Sequence, residues 1–166
     1  MTIAERLFFA LKLFSALGCG LIAGVFFAFS VFVMRGLAQL PPRESIAAMQ
    51  SINIKIPNPL FLGVFTGTAA GCLVLAVSGL LKWHQPGAAF LLAGGLLYLF
   101  GAFLVTVVFN VPLNDALATV KPGSPDDARL WTAYLTTWTA WNHVRTIAAL
   151  VAAASLTLAF YYGKPQ

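Results

Sequence analysis

Four long apolar runs, separated by short polar breaks, set the pattern of this chain. They extend over residues 7–36, 58–82, 88–111 and 136–162. A helix rises about 1.5 Å per residue, so each run is long enough to cross a hydrocarbon core of about 30 Å. The pattern predicts an all-α membrane protein, a four-transmembrane-helix up-down bundle forming one integral membrane domain over residues 1–166. It is expected to be multi-pass in a plasma or inner membrane. Between the first two runs, Pro41-Pro42 breaks the chain, and Ile46, Met49 and Ile52 recur among polar residues from Arg43 to Ile54. That spacing predicts a short amphipathic helix lying on the membrane surface.

Finer signals place the helix ends and contacts. Asn58-Pro59 reads as an N-cap followed by the first helical residue. Ser124-Pro125-Asp126-Asp127 reads the same way for the fourth helix, with acids in its first turn. From Pro125 to Tyr162 is too long for one perpendicular crossing, so the first turns project outside the bilayer or break near Leu135. Pro112 allows two readings. It either ends the third helix, with Asn114 and Asp115 turning the loop, or leaves a carbonyl free beside a polar ladder of Thr106, Asn110 and Asn114 at four-residue spacing. Ala16, Gly20, Gly24 and Ala28 form one small-residue stripe, and Gly63, Gly67 and Gly71 another. Both are expected in helix–helix contacts.

Composition strengthens the membrane reading. Of 166 residues, 60% are apolar and 9% charged, against about 25% charged in a soluble domain. The net charge of +5 is spread over segment ends rather than gathered in a patch, which argues against nucleic acid and for the lipid bilayer as partner. Cys19 and Cys72 lie inside apolar runs and supply neither a disulfide framework nor a zinc site. Leu17-Gly18-Cys19 loosely matches a lipoprotein cleavage box, but the apolar run continues to Met34, so a retained first helix is expected. Arg6, Lys12, Lys82 and Lys164 lie at one end of the bundle, and Arg35, Arg43, Lys55, Lys121 and Arg129 at the other. The count of basic residues leans slightly against cytoplasmic termini, but several of them belong to the expected pocket. The short basic terminus and the short Lys82 turn favour both termini in the cytoplasm, so a Ser124→Cys label should be reachable from outside intact cells.

Chemistry-bearing residues collect at one membrane face. Arg35, Asn53, Thr106, Asn110, Asn114, Asp115, Trp138, Trp141, Asn142, His143 and Arg145 all belong there, whereas the other face offers only Lys82, His84, the termini and interfacial aromatics. A polar pocket floored by apolar bundle follows. His143 suits a general base, since an imidazole titrates near working pH. Asn142, Arg145, Asn110 and Asn114 suit an oxyanion that forms on proton removal. Trp138 and Trp141 offer flat apolar surfaces for an aromatic ligand, with Arg35, Asn53, Thr106 and Asp115 as further binding residues. No metal is expected, because only His143 and Asp115 are potential ligands on this face. On a helix at about 100° per residue, Trp138, Asn142, Arg145 and Ala149 share a face, and His143 lies roughly 200° from Arg145. The bland alternative is that these polar groups tie helices together, with Arg35 snorkelling to headgroups.

The runs Phe27-Ala-Phe-Ser-Val-Phe-Val-Met-Arg35-Gly-Leu, Met49-Gln-Ser-Ile-Asn53, Asn110-Val-Pro-Leu-Asn114 and Trp138-Thr-Ala-Trp-Asn-His-Val-Arg145 resemble the anthrone-oxygenase-like family of small four-helix membrane proteins. The resemblance covers essentially the whole chain. It implies oxidation of an anthrone-like, polyketide-type aromatic to a quinone with molecular oxygen, with no cofactor. In that scheme a His-assisted deprotonation precedes reaction with oxygen, and the partner is a hydrophobic aromatic small molecule. The rival from another class is a non-enzymatic membrane module that binds a lipid, a quinone or a haem ligated by His143, or that assists a membrane partner.

Overall fold

The computed structural model describes residues 2–163, so Lys164, counted above for orientation, lies outside the described residues. It contains five helices: α1 Ile3–Leu37, α2 Pro42–Lys55, α3 Pro59–Leu81, α4 Ala88–Ala118 and α5 Asp127–Tyr162. All but α2 are long and apolar enough to cross a membrane. The protein is thus a multi-pass membrane protein built as an up-down bundle. α1 packs against α3 and α5, and α4 packs against the same two, which leaves α3 and α5 diagonal across the bundle. Cys19, Cys72, Ile22, Leu75, Tyr98 and Leu156 fill the centre with almost no exposure. The two cysteines are free thiols with sulfurs 3.7 Å apart.

Several helix ends differ from the sequence reading, each for a local reason. α1 begins at Ile3 rather than Leu7 because Thr2 and Glu5 form a capping box. The Glu5 N–H donates to Thr2 Oγ1 at 3.2 Å, and the Thr2 N–H donates to Glu5 Oε2 at 2.8 Å. Asn58 caps α3 as expected, with its Oδ1 accepting the Phe61 N–H at 3.0 Å. Ser124 does not cap α5. Instead the Asp127 carboxylate gathers the Gly123 N–H (2.6 Å), the Ser124 N–H (3.2 Å) and the Ser124 hydroxyl (2.8 Å), and the helix starts there. α5 does not break near Leu135 but runs unbroken for 36 residues, about 54 Å at 1.5 Å per residue. Its first turns stand clear of the main bundle and carry Trp131 and Tyr134 into a second apolar cluster.

That second cluster corrects the reading of α2. Ile46 and Met49 are fully buried against Met34, Leu117, Trp131, Tyr134 and Trp138, so the apolar face of α2 covers protein and not lipid. The Ser45 hydroxyl donates to the Leu37 carbonyl at 2.8 Å and closes the corner after the prolines. Gln50 Nε2 donates to the carbonyls of Leu117 (2.8 Å) and Val120 (2.9 Å), satisfying acceptors at the end of α4. α2 is a lid bolted across the ends of α1, α4 and α5.

Pro112 does not end α4, which continues to Ala118. The helix is wound as π over Leu97–Leu104 and again over Thr106–Asn110, and the Val111 N–H reaches the Thr106 carbonyl five residues back. This wider winding precedes the proline and makes room for a ring that would clash in a tight α turn. α1 carries a third π segment at Phe29–Val33.

The glycine stripes are only partly contacts. Gly20 and Gly24 face open space, as does Gly63, so the α1 stripe is not at a helix seam. The real α1–α3 approach uses Gly18, where a Cβ would strike the Thr68 hydroxyl, and Gly71, where it would strike the Ser15 hydroxyl. Gly67 needs no special closeness, since a Cβ there would meet Phe14 at an ordinary 3.5 Å. The tightest α3–α4 approach is at Gly95, where a Cβ would lie 2.5 Å from the Cys72 carbonyl oxygen. Backbone cannot yield there. We expect Gly95→Ala to cost about 1–3 kcal/mol through overpacking, and Gly20→Ala or Gly24→Ala to be neutral or stabilising by helix propensity. Thermal melts in detergent check both.

Candidate functional site

Under the α2 lid lies a cavity of about 600 Å³. Its apolar lining includes six aromatic rings, from Phe26 and Phe29 on α1, Phe61 and Phe65 on α3, Phe103 on α4 and Trp138 on α5. Phe65 stacks on Phe61 and on Phe103 at ring separations of 5.8 and 5.2 Å. All three π segments contribute: Phe29 from the first, Phe103 from the second, Thr106, Val107 and Asn110 from the third. Extra residues per turn widen the bundle where the cavity sits.

Arg145 is the central polar group. It reaches the cavity from the middle of α5 and is 4% exposed. Its guanidinium carbon lies 4.2 Å from the centre of the Phe26 ring and 5.1 Å from that of Trp138. Nη1 donates to Thr106 Oγ1 at 3.2 Å and Nη2 to Asn142 Oδ1 at 2.5 Å, while Nε has no partner. Among the described residues no carboxylate pairs with it. A guanidinium in a membrane span costs on the order of 3 kcal/mol or more, which marks it as a functional group by default. Cation–π contacts and neutral acceptors offset part of that cost but leave the charge uncompensated.

Two asparagines build the support. Asn142 is fully buried and does not line the cavity. Its Nδ2 donates to the Phe26 carbonyl (2.7 Å) and to the Ser30 hydroxyl (2.6 Å), at the start of the α1 π segment, while its Oδ1 holds Arg145. Asn142 therefore holds Arg145 from behind and does not itself reach the cavity, where the sequence reading expects an oxyanion partner. Asn114 Oδ1 accepts both the Tyr134 hydroxyl and the Trp138 Nε1–H at 2.8 Å, fixing the indole against the cavity. Asn110 donates through Nδ2 to the Trp138 carbonyl at 3.2 Å, and its buried Oδ1 is unpartnered. Asn53 Nδ2, from the lid, is likewise buried without a hydrogen bond. Asp115 lines the cavity at its exposed rim.

These same elements fall within the match to the anthrone oxygenase family model, which covers residues 61–155, more than half of the 166-residue chain. The chain belongs to the anthrone oxygenase family. No curated protein and no solved structure matches it. The anthrone oxygenase match carries Thr106, Asn110, Asn114, Trp138, Asn142 and Arg145, whereas the α1 walls and the lid's Gln50 and Asn53 lie before it.

The structure brings together eight of the residues singled out in the sequence: Arg145, Asn142, Asn110, Asn114, Thr106, Asp115, Asn53 and Trp138. Three others lie elsewhere. His143 is exposed and lines a shallower groove of about 370 Å³ between α1 and α5, together with Arg35, Thr136 and Thr139. The helical offset of roughly 200° from Arg145 turns His143 away from the cavity. Arg35 sits at the end of α1 on that same outer groove. Trp141 stacks on Phe109 at 3.7 Å, also outside the cavity. A haem ligated by His143 within the cavity does not fit this placement. Sequence reasoning missed Tyr134, Gln50 and the phenylalanine walls. Tyr134 was signalled, because it lies four residues before Trp138 on the same α5 face.

Proposed function

We propose that the protein is a membrane-embedded oxygenase whose cavity binds an anthrone-like aromatic and holds its conjugate base against Arg145. The uncompensated Arg145 guanidinium in an aromatic-walled cavity is the observation that carries this reading. An anthrone loses a methylene proton to give an anion whose charge rests on its oxygen, because the central ring becomes aromatic. Arg145 supplies a cation without a resident counterion, in a site where low dielectric strengthens the attraction. The aromatic walls match the flat body of the ligand.

Proton removal falls to Asp115, the carboxylate on the cavity lining. A carboxylate is a weak base toward a carbon acid, so most of the driving force comes from Arg145 stabilising the anion. The anion passes one electron to oxygen, and the resulting radical pair joins through a carbon–oxygen bond as a peroxide. Loss of the second methylene hydrogen as a proton then breaks the oxygen–oxygen bond. One oxygen remains as the new carbonyl, and the other leaves as water.

The test is oxygen uptake and quinone formation with an anthrone such as emodin anthrone, corrected for spontaneous oxidation. Wild type should turn over, and His143→Gln should retain most of that rate because His143 does not face the cavity. Loss of turnover in His143→Gln with an unchanged melt would return His143 to the mechanism. Tight quinone binding without turnover would favour a binding module instead.

A further inference from the structure

The cavity wall is not closed toward the membrane. α3 packs along residues 88–104 of α4, but the two helices then diverge, and residues 106–110 of α4 pack on α5 instead. Leu62 and Thr66 on one side and Val107 and Val111 on the other line the cavity while standing on the outer surface of the bundle. Leu62 is 41% exposed and Val107 49%. These four belong to helices long and apolar enough to span a membrane. At the upper end the gap reaches Ile54 of the lid and the polar rim at Asp115.

We infer that the cavity is filled sideways from the bilayer, through a slot between α3 and α4 bounded by Leu62, Thr66, Val107 and Val111. The slot is apolar apart from Thr66, whose hydroxyl is occupied by the Leu62 carbonyl at 2.6 Å. It therefore admits a flat hydrocarbon-like body and disfavours an ion or a heavily hydroxylated molecule, whose desolvation nothing along the route offsets. The Arg145 guanidinium, which lines the cavity, then meets the polar edge of the ligand only after its apolar body has crossed. The ligand class that fits is a planar aromatic dissolved in the bilayer, entering neutral and ionising inside. This deepens the oxygenase reading by naming how its substrate arrives, but the test below does not depend on turnover.

Trp138 lines the cavity and reports on what reaches it. In a variant with Trp83, Trp131 and Trp141 replaced by Phe, Trp138 is the remaining tryptophan of the four. In phosphatidylcholine vesicles, its fluorescence should be quenched strongly by a nitroxide-bearing alkane dissolved in the bilayer and weakly by iodide in the water. Filling the slot with Thr66→Phe and Val107→Phe should remove most of the nitroxide quenching. Leu17→Phe with Leu21→Phe, on an exposed flank of α1, should not. The same difference between slot and control variants can be read in the native background, should the triple replacement fold poorly. Nitroxide quenching that ignores the slot substitutions, or iodide quenching of equal strength, would overturn the lateral route. Absence of anthrone turnover alongside slot-dependent quenching would strike the oxygenase reading alone.

Discussion

Arg145→Met should abolish turnover and at the same time raise the melting temperature. Removing a cation that stabilises a developing anion in a dry site costs on the order of 10²–10³-fold in rate. The stability gain follows from the missing counterion. Arg145 is buried with its charge uncompensated among the described residues, and a methionine of similar reach removes that desolvation cost while keeping much of the contact with Phe26 and Trp138. Thr106 and Asn142 each lose a donor, so the net gain should be about 1–3 kcal/mol, a shift of a few degrees in a detergent melt. Arg145→Lys should fall between, since an ammonium keeps the charge but cannot hold Thr106 and Asn142 in one planar fork. A melting temperature that drops sharply in Arg145→Met would show Arg145 to be packing glue.

Asn114→Leu should be the most destabilising polar substitution in the molecule. Asn114 Oδ1 is the acceptor for two buried donors, the Tyr134 hydroxyl and the Trp138 indole N–H. Each orphaned donor costs about 1–3 kcal/mol, so a loss of about 2–6 kcal/mol is expected. The site should also loosen, because Trp138 would no longer be pinned beside Arg145. Adding Tyr134→Phe to Asn114→Leu should recover part of the stability by removing one orphan. Asn114→Asp, which keeps the acceptor, should be tolerated. Additive losses in the Asn114→Leu/Tyr134→Phe pair would mean that the shared acceptor does not organise this corner.

The bundle was legible because span length and hydropathy leave few alternatives in a bilayer. The core of the site was legible as well, since Trp138, Asn142, Arg145 and Ala149 follow helical spacing and indeed share the inner face. The same arithmetic separates His143 from Arg145, and the structure places them on different cavities. Other features have no short-range signature. π winding in α1 and α4 depends on packing, and only Pro112 hinted at it. A small-residue stripe states how closely a neighbour can approach, not which face has one, so Gly20 and Gly24 misled. α2 looked like a surface helix because Ile46 and Met49 give the same moment whether they meet lipid or protein. Tyr134 falls in the part of the fourth helix expected to project outside the bilayer, before the apolar span at residues 136–162, so hydropathy gives it no place in the site.

The central claim is that Arg145 holds the anionic form of an aromatic ligand inside the membrane. The most direct measurement is the ionisation of a bound hydroxyanthraquinone, followed by its visible absorption across a pH series in vesicles containing wild type or Arg145→Met. In wild type the anion's band should emerge at clearly lower pH than for the same probe in empty vesicles, and Arg145→Met should return it to the empty-vesicle value. Equal ionisation of the probe in wild type and Arg145→Met, with binding intact in both, would contradict the account.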